Sequence, residues 1–472
     1  MVAWSTRCGA CRQRKIKCDQ QWPTCGQCRK KKLYCPGPPE RHRFVRENPS
    51  KLSPHAARVT FSGSLLRIHM SNTQPQIPCS VPNSHAAQVG AELVSFITSQ
   101  PKTFGISSFA QLMGYVPAML NDSSALTGAV ACLSNARKRQ LTLPRPDGKL
   151  DPKLYGSALR ELRYALQDSN KLDRIETLLA TLIMWRVEAT IATTAELPHL
   201  IVTWSVHLAG VGYLLERLGP EAAKDKLVFY VVLESASELA SHFYARDESF
   251  FFASPQWQGI FDHHLDFPVT YRLLFQVFGQ MAVFPDVMRD LRRYHIGQVK
   301  FQHVRSRVKA MLDAFKSISK PLEAILEDRS LVRQRAACSS GSPVEEIYEA
   351  EQDILPRVCC LHAMASIVSH NMLSALDGDA SHEHEKDNHL LSRRIWMFHE
   401  QATRVGSFGM YYYPTALLLS YGSARSRETE NWIVDLLNRL GERNPVTDIM
   451  WTREEISQRY HATSGNSQLP PK

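Results

Sequence analysis

CGACRQRKIKCDQQWPTCGQCRKKKLYC, residues Cys8 to Cys35, holds six of the eleven cysteines in a chain of 472 residues. Cys8, Cys11 and Cys18 are spaced C-x2-C-x6-C, and Cys25, Cys28 and Cys35 repeat that spacing seventeen residues later. The start of the chain, MVAWSTRCGACRQRK, lacks the apolar core of a secretory signal, so a reducing, intracellular setting is expected. In that setting close C-x2-C pairs point to zinc, which takes four ligands in a tetrahedron. One ion would leave two thiols idle. Two ions need eight ligand positions from six sulfurs, so two sulfurs must each serve both metals. The expected product is a binuclear cluster with pseudo-twofold halves.

Charge is concentrated around the same stretch. Residues 1–50 contain twelve Lys or Arg against Asp19, Glu40 and Glu47, a balance of +9, whereas the whole chain carries +10. The remaining 422 residues are therefore close to neutral, at +1. A positive excess gathered on one small module predicts a polyanion as its partner. Six thiolates and two zinc ions subtract two charges, which leaves the module near +7.

The cysteine spacing, the run Arg12, Arg14, Lys15, Lys17 and Asp19 around Cys18, and Pro23 before Cys25 closely resemble the Zn(II)2Cys6 binuclear cluster DNA-binding domain of fungal transcription factors. The resemblance implies two zinc ions held by Cys8, Cys11, Cys18, Cys25, Cys28 and Cys35, with Cys8 and Cys25 shared. It also implies that a first helix enters the major groove of double-stranded DNA and that Arg14 and Lys15 read a CGG-like triplet. Basic side chains can donate to guanine O6 and N7, which agrees with that assignment. Arg12, Lys17, Arg29, Lys30, Lys31 and Lys32 are better assigned to phosphates, which position a module without reading sequence. The segments Arg12–Lys17 and Arg29–Tyr34 are each long enough for one or two helical turns. Ile16 and Leu33 are the apolar side chains at hand to cover the metals.

Past the module, PGPPERHRFVRENPSK and then SNTQPQIPCSVPNSHAAQ (71–88) read as a flexible linker over 41–88. Leu52, Val59 and Leu66 recur every seven residues, but Pro54 lies among them. This falls short of the sustained heptads a coiled coil needs. A homodimer on an everted pair and a monomer on a single site both stay open.

Helical periodicity governs residues 89–460, ahead of a polar tail at 461–472. Asp151-Pro152 starts a helix with Tyr155, Ala158, Leu159, Leu162, Ala165 and Leu166 on one face. Asp173 and Glu176 form a capping-box-like start for a helix through Leu178, Leu179, Leu182, Ile183 and Trp185. A third helix carries Trp204, His207, Leu208, Val211, Leu214 and Leu215 and stops at Gly219-Pro220. The expected fold is mainly α, a small zinc-cluster module followed by a large all-α domain. The runs YGSALRELRYALQD (155–168), ETLLATLIMW (176–185), WSVHLAG (204–210) and WIVDLLNRLGERNPVTDI (432–449) resemble the fungal-specific transcription factor regulatory domain. That resemblance implies a regulatory role, with transcriptional coregulators as partners and the nucleus as the location.

Other features carry less. DASHEHEKDNH (379–389), with His382, His384 and His389, reads as a solvated loop before it reads as a metal site. Asp262-His263-His264 has no partner motif, and His207 reads as a satisfied histidine of the core or a groove. Cys79, Cys132, Cys338, Cys359 and Cys360 lack ligand spacing and read as buried thiols. VEEIYEAEQDIL (344–355) reads as an amphipathic surface helix, with an activation segment as the alternative. LLATLIMWRVEATIA (178–192) is interrupted by Arg186 and Glu188, which argues against a membrane span. No phosphate loop, nucleophile elbow or H-E-x-x-H occurs, so no enzyme is expected. A sequence-specific transcription factor is the leading expectation. A zinc-stabilised scaffold without DNA selectivity is the alternative, and an enzyme appended to a zinc module is the weakest reading.

Overall fold

Asp151 begins a helix as its sequence predicts. In the computed structural model its carboxylate accepts from the Lys153 and Leu154 amides, and Pro152 takes the first helical position, where no amide partner is forfeited. The structure describes Cys11, Arg14, Ile16–Asp19 and Cys25–Lys31, and then residues 84–463. Within that last range 100–107, 143–150, 192–196, 247, 263–266, 339–340, 352–353, 378–381, 406–411 and 443–450 lie outside the description. The chain divides into two compact units, Met1–Pro78 and Cys79–Lys472.

In the first unit, α1 spans Gly26–Lys30. The second unit is built from helices, among them α2 (His85–Ser99), α3 (Ser124–Thr142), α4 (Pro152–Gln167), α5 (Ile175–Ile191), α6 (Leu197–Leu218) and α7 (Lys226–Arg246). Farther on come α8 (Val269–Met281), α9 (Phe301–Glu327), α10 (Ile354–Asp377), α11 (His382–Trp396), α12 (Tyr413–Ser420) and α13 (Arg453–Thr463). The helix α2 starts inside the stretch 71–88 whose composition reads as flexible. α3 packs on α4 and α5, α5 on α6, and α6 on α7. α7 leads through α8 to α10, which also contacts α9, α11 and α12.

The α4 stripe buries Ala158, Leu162 and Ala165, whereas Leu166 at its edge is exposed. α5 departs from a one-faced helix. Every residue from Leu178 to Val187 is buried, because α3, α4, α6 and α7 cover it on all sides. Its start also differs from the expected capping box. The Asp173 carboxylate is taken by the Arg217 guanidinium, with Nη2 to Oδ2 at 3.0 Å, and so does not cap α5. α6 ends where expected, at Gly219 with φ +76°, a left-handed turn that glycine adopts without a Cβ penalty. The Trp204 side chain lies outside the described residues.

Two sequence expectations are corrected here. Glu346–Ala350, inside VEEIYEAEQDIL, is a β-strand (β2) paired antiparallel with β1 (Val332–Ala336), not a surface helix. Gly341, at φ +79°, lies in the connection that returns the chain, and Val344 and Ile347 turn into the core. Residues 382–389 belong to α11, not to a solvated loop. Acidic residues in its first turn and Arg393 and Arg394 in its last suit the helix dipole.

α10 is long and apolar enough to cross a membrane by composition, but 78% of that stretch is buried within protein. It is a core helix.

Candidate metal centre and nucleic-acid interface

Cys25 organises the described part of the module. Its backbone is extended (φ −64°, ψ 149°), as at a helix N-cap, and its sulfur caps α1. Sγ accepts from the Cys28 amide at 3.4 Å, and the Cys25 carbonyl accepts from Arg29 at 3.0 Å. The helix therefore starts inside the second C-x2-C, three residues earlier than the Arg29–Tyr34 segment expected to carry it. In the first half the Ile16 amide donates to the Cys11 carbonyl at 3.1 Å. Ile16 and Cys18 pack against buried Cys11, Cys25 and Cys28.

The sulfurs of Cys11, Cys18 and Cys25 all lie within 4.8 Å of one another. Cys11 and Cys25 are 3.6 Å apart, far beyond a disulfide bond of about 2.05 Å. Thiolates at tetrahedral corners around zinc, each about 2.3 Å from the metal, are about 3.8 Å apart. The donor set and its spacing fit zinc. One sulfur of the triad, Cys25, comes from the second half of the repeat while two come from the first. Cys8 and Cys35 lie outside the described residues.

Around this core Lys17, Arg29, Lys30 and Lys31 are exposed. Arg14 is half-buried in a turn, and its Nε and Nη2 are shielded from solvent without a hydrogen-bond partner. Arg12, Lys15, Lys32, Pro23 and Leu33 lie outside the described residues. Asp19 directs its carboxylate at α1 and accepts from the Gly26 amide at 3.0 and 2.9 Å. Sequence reasoning gave Asp19 no role. The signal was its position directly after Cys18, opposite a glycine that directly follows Cys25.

In the large unit the histidines do not gather into a metal site among the described residues. His384 stacks on His370 with ring centroids 4.8 Å apart, and His389 meets the Ser423 carbonyl at 3.3 Å. The His382 and Asp262 side chains and residues His263 and His264 lie outside the described residues. His207 is satisfied, with Nε2 3.1 Å from a Glu188 carboxylate that also accepts from Tyr155. Cys132, Cys359 and Cys360 are buried, and burial pushes the Cys132 and Cys359 thiols up to about 12. Cys338, expected to be buried, is exposed after β1, where its amide donates to Glu400 at 2.7 Å. Cys79 lies outside the described residues.

A buried charge cluster went unread. Arg186 and Arg357 both donate to Glu234, and Arg357 also donates to the Leu233 carbonyl at 2.8 Å. All three residues are at most 4% exposed. Arg186 further lies over the Trp185 ring, 4.8 Å from its centroid.

Residues 6–43 match the fungal Zn(2)-Cys(6) binuclear cluster domain, and residues 96–265 match the fungal specific transcription factor domain. The second match ends before 432–449, the last run that resembles that domain. No curated protein and no solved structure matches the chain. Both matched families are transcription factor domains, not enzymes. The chain thus carries a cluster domain of a kind that binds two zinc ions, followed by a fungal specific transcription factor domain, and together the two matches support a DNA-binding transcription factor.

Proposed function

We propose that the module reads CGG-like triplets in the major groove, with Arg14 and Lys15 as the reading residues and Cys8 and Cys25 as the shared zinc ligands. The observation that carries this reading is the concentration of +9 in the first fifty residues around a cysteine cage. A metal cage fixes the directions of side chains between its ligands, so charges there become a pattern and not a cloud. Arg14 supports the reading in a second way. Its Nε and Nη2 have no partner to give up, so turning them to guanine O6 and N7 costs no existing hydrogen bond. Arg12, Lys17 and Arg29–Lys32 hold phosphates and set the register. The helical domain controls output through coregulators, in the nucleus, and the chain acts as a monomer or a homodimer.

The test uses the zinc-loaded chain and a random duplex pool. Enrichment of a CGG-like motif is expected. Salt-sensitive retention with no enrichment would instead favour a zinc-stabilised scaffold. Lys15→Ala is expected to remove the preference between matched and scrambled duplexes. Lys31→Ala weakens binding to all duplexes alike and lowers the slope of log K against log salt by about 1. Unchanged selectivity in Lys15→Ala overturns the assignment.

A further inference from the structure

Asp19 connects the two halves of the cysteine repeat. It leaves Cys18 in the first half, and both of its carboxylate oxygens accept from the amide of Gly26, the residue directly after Cys25. A steric observation points the same way. A Cβ at Gly26 would collide with Asp19 Oδ2, so this approach is open only to glycine. The seventeen-residue repeat also reproduces one partner and not the other. Gly9 corresponds to Gly26, but the counterpart of Asp19 is Pro36, which carries no acceptor side chain. By sequence, the clamp belongs to one side of an otherwise symmetrical cluster.

We propose that Asp19 is a positioning residue for the Cys25 thiolate. The proposal rests on the reading of Cys25 as a sulfur shared by both zinc ions. A terminal thiolate serves one tetrahedron, whereas a shared one must suit two at once, so an error in its direction is felt at both metals. The direction of the Cys25 side chain follows from its backbone, and the Gly26 peptide is half of that backbone. By holding this peptide to the chain leaving Cys18, Asp19 sets Cys25 Sγ against the first-half sulfurs, 3.6 Å from Cys11. Outer-shell hydrogen bonds of this kind orient ligands without touching the metal.

The experiment measures zinc per chain and zinc transfer to a chromophoric chelator, using the full chain. Asp19→Ala is expected to lower zinc affinity roughly 10-fold to 100-fold, the range seen on losing outer-shell partners. Asp19→Asn, which keeps an acceptor oxygen, recovers part of that loss. Gly26→Ala weakens zinc binding by forcing a side chain onto Asp19. Asp19→Ala with Gly26→Ala is no weaker than Asp19→Ala alone, because the collision partner has gone. A merely structural contribution from each residue would instead add. Wild-type zinc affinity in Asp19→Ala or in Gly26→Ala, or additive losses in the double variant, overturns the proposal. If Asp19→Ala takes up no zinc at all, Gly26→Ala and Asp19→Asn still decide it. Cys25→Ala tests the underlying reading separately. A shared ligand predicts loss of both ions, and retention of one removes that reading whatever Asp19 does.

Discussion

Glu234 holds two cations in a place where neither could stay unpaired. Arg186 and Arg357 converge on its two carboxylate oxygens in a core at most 4% exposed to water. Removing one member of such a group leaves a buried charge uncompensated, a loss of about 3–5 kcal/mol. Glu234→Ala is therefore expected to lower the unfolding free energy of the large domain by that amount, read as a lower urea midpoint at unchanged slope. A loss below about 1 kcal/mol would mean that water reaches the arginines. Sequence alone showed Arg186 only as an interruption in an apolar run. Its partners lie 48 residues from it and, from Glu234 on to Arg357, a further 123, and no local spacing signals such a pairing. The cysteines were legible for the opposite reason. Their spacing is local, and the sulfurs of Cys11, Cys18 and Cys25 do gather within 4.8 Å of one another.

Among the elements, those with a local cause were readable. Asp151 caps α4 and Gly219 ends α6, each through backbone groups within four residues. β2 was not readable, because its acidic and apolar residues suit a helix face and a strand equally well. Its pairing with Val332–Ala336, the Met397 carbonyl that accepts from the Tyr348 amide at 2.8 Å, and the Gly341 turn decide the matter from outside the segment. The dipole pattern of α11 is present in the sequence, but its three histidines and many polar residues suit a solvated loop as well. The helix α13 makes one unusually close approach. Tyr460 lies against Gly422, and its hydroxyl accepts from Asn371 on α10 at 3.4 Å. Gly422→Ala would push a methyl group into that hydroxyl. A cost of about 1–3 kcal/mol and faster proteolysis at α13 are expected, and unchanged protection of α13 would show that the ring can step aside.

Across the large domain, three buried histidines, His362 and His370 on α10 and His399 beyond α11, make it sensitive to acid. Burial pushes His362 down to about 4, and also lowers His370, which faces His384, and His399. Each is neutral when folded at a pH where the unfolded chain would bind a proton. Their contribution is thus complete above about 6.5 and is lost as pH falls through that value. Stability should drop by about 1.4 kcal/mol per pH unit for His362 alone between pH 6.5 and about 4. His362→Gln should flatten the profile of melting temperature against pH in that window. A profile identical to wild type would assign the acid sensitivity to other groups.

The burial of α10 on every side has a consequence for how the chain is made. Its neighbours α8 and α9 emerge from the ribosome before it, and α11 and α12 emerge after it. The faces of α8 and α9 that meet α10 therefore have no lasting cover until residue 377 has been synthesised, and the faces of α10 that meet α11 and α12 have none until about residue 420. Truncations that end before Ile354 should accumulate as chaperone-bound or aggregated chains, however complete the cluster domain at their start.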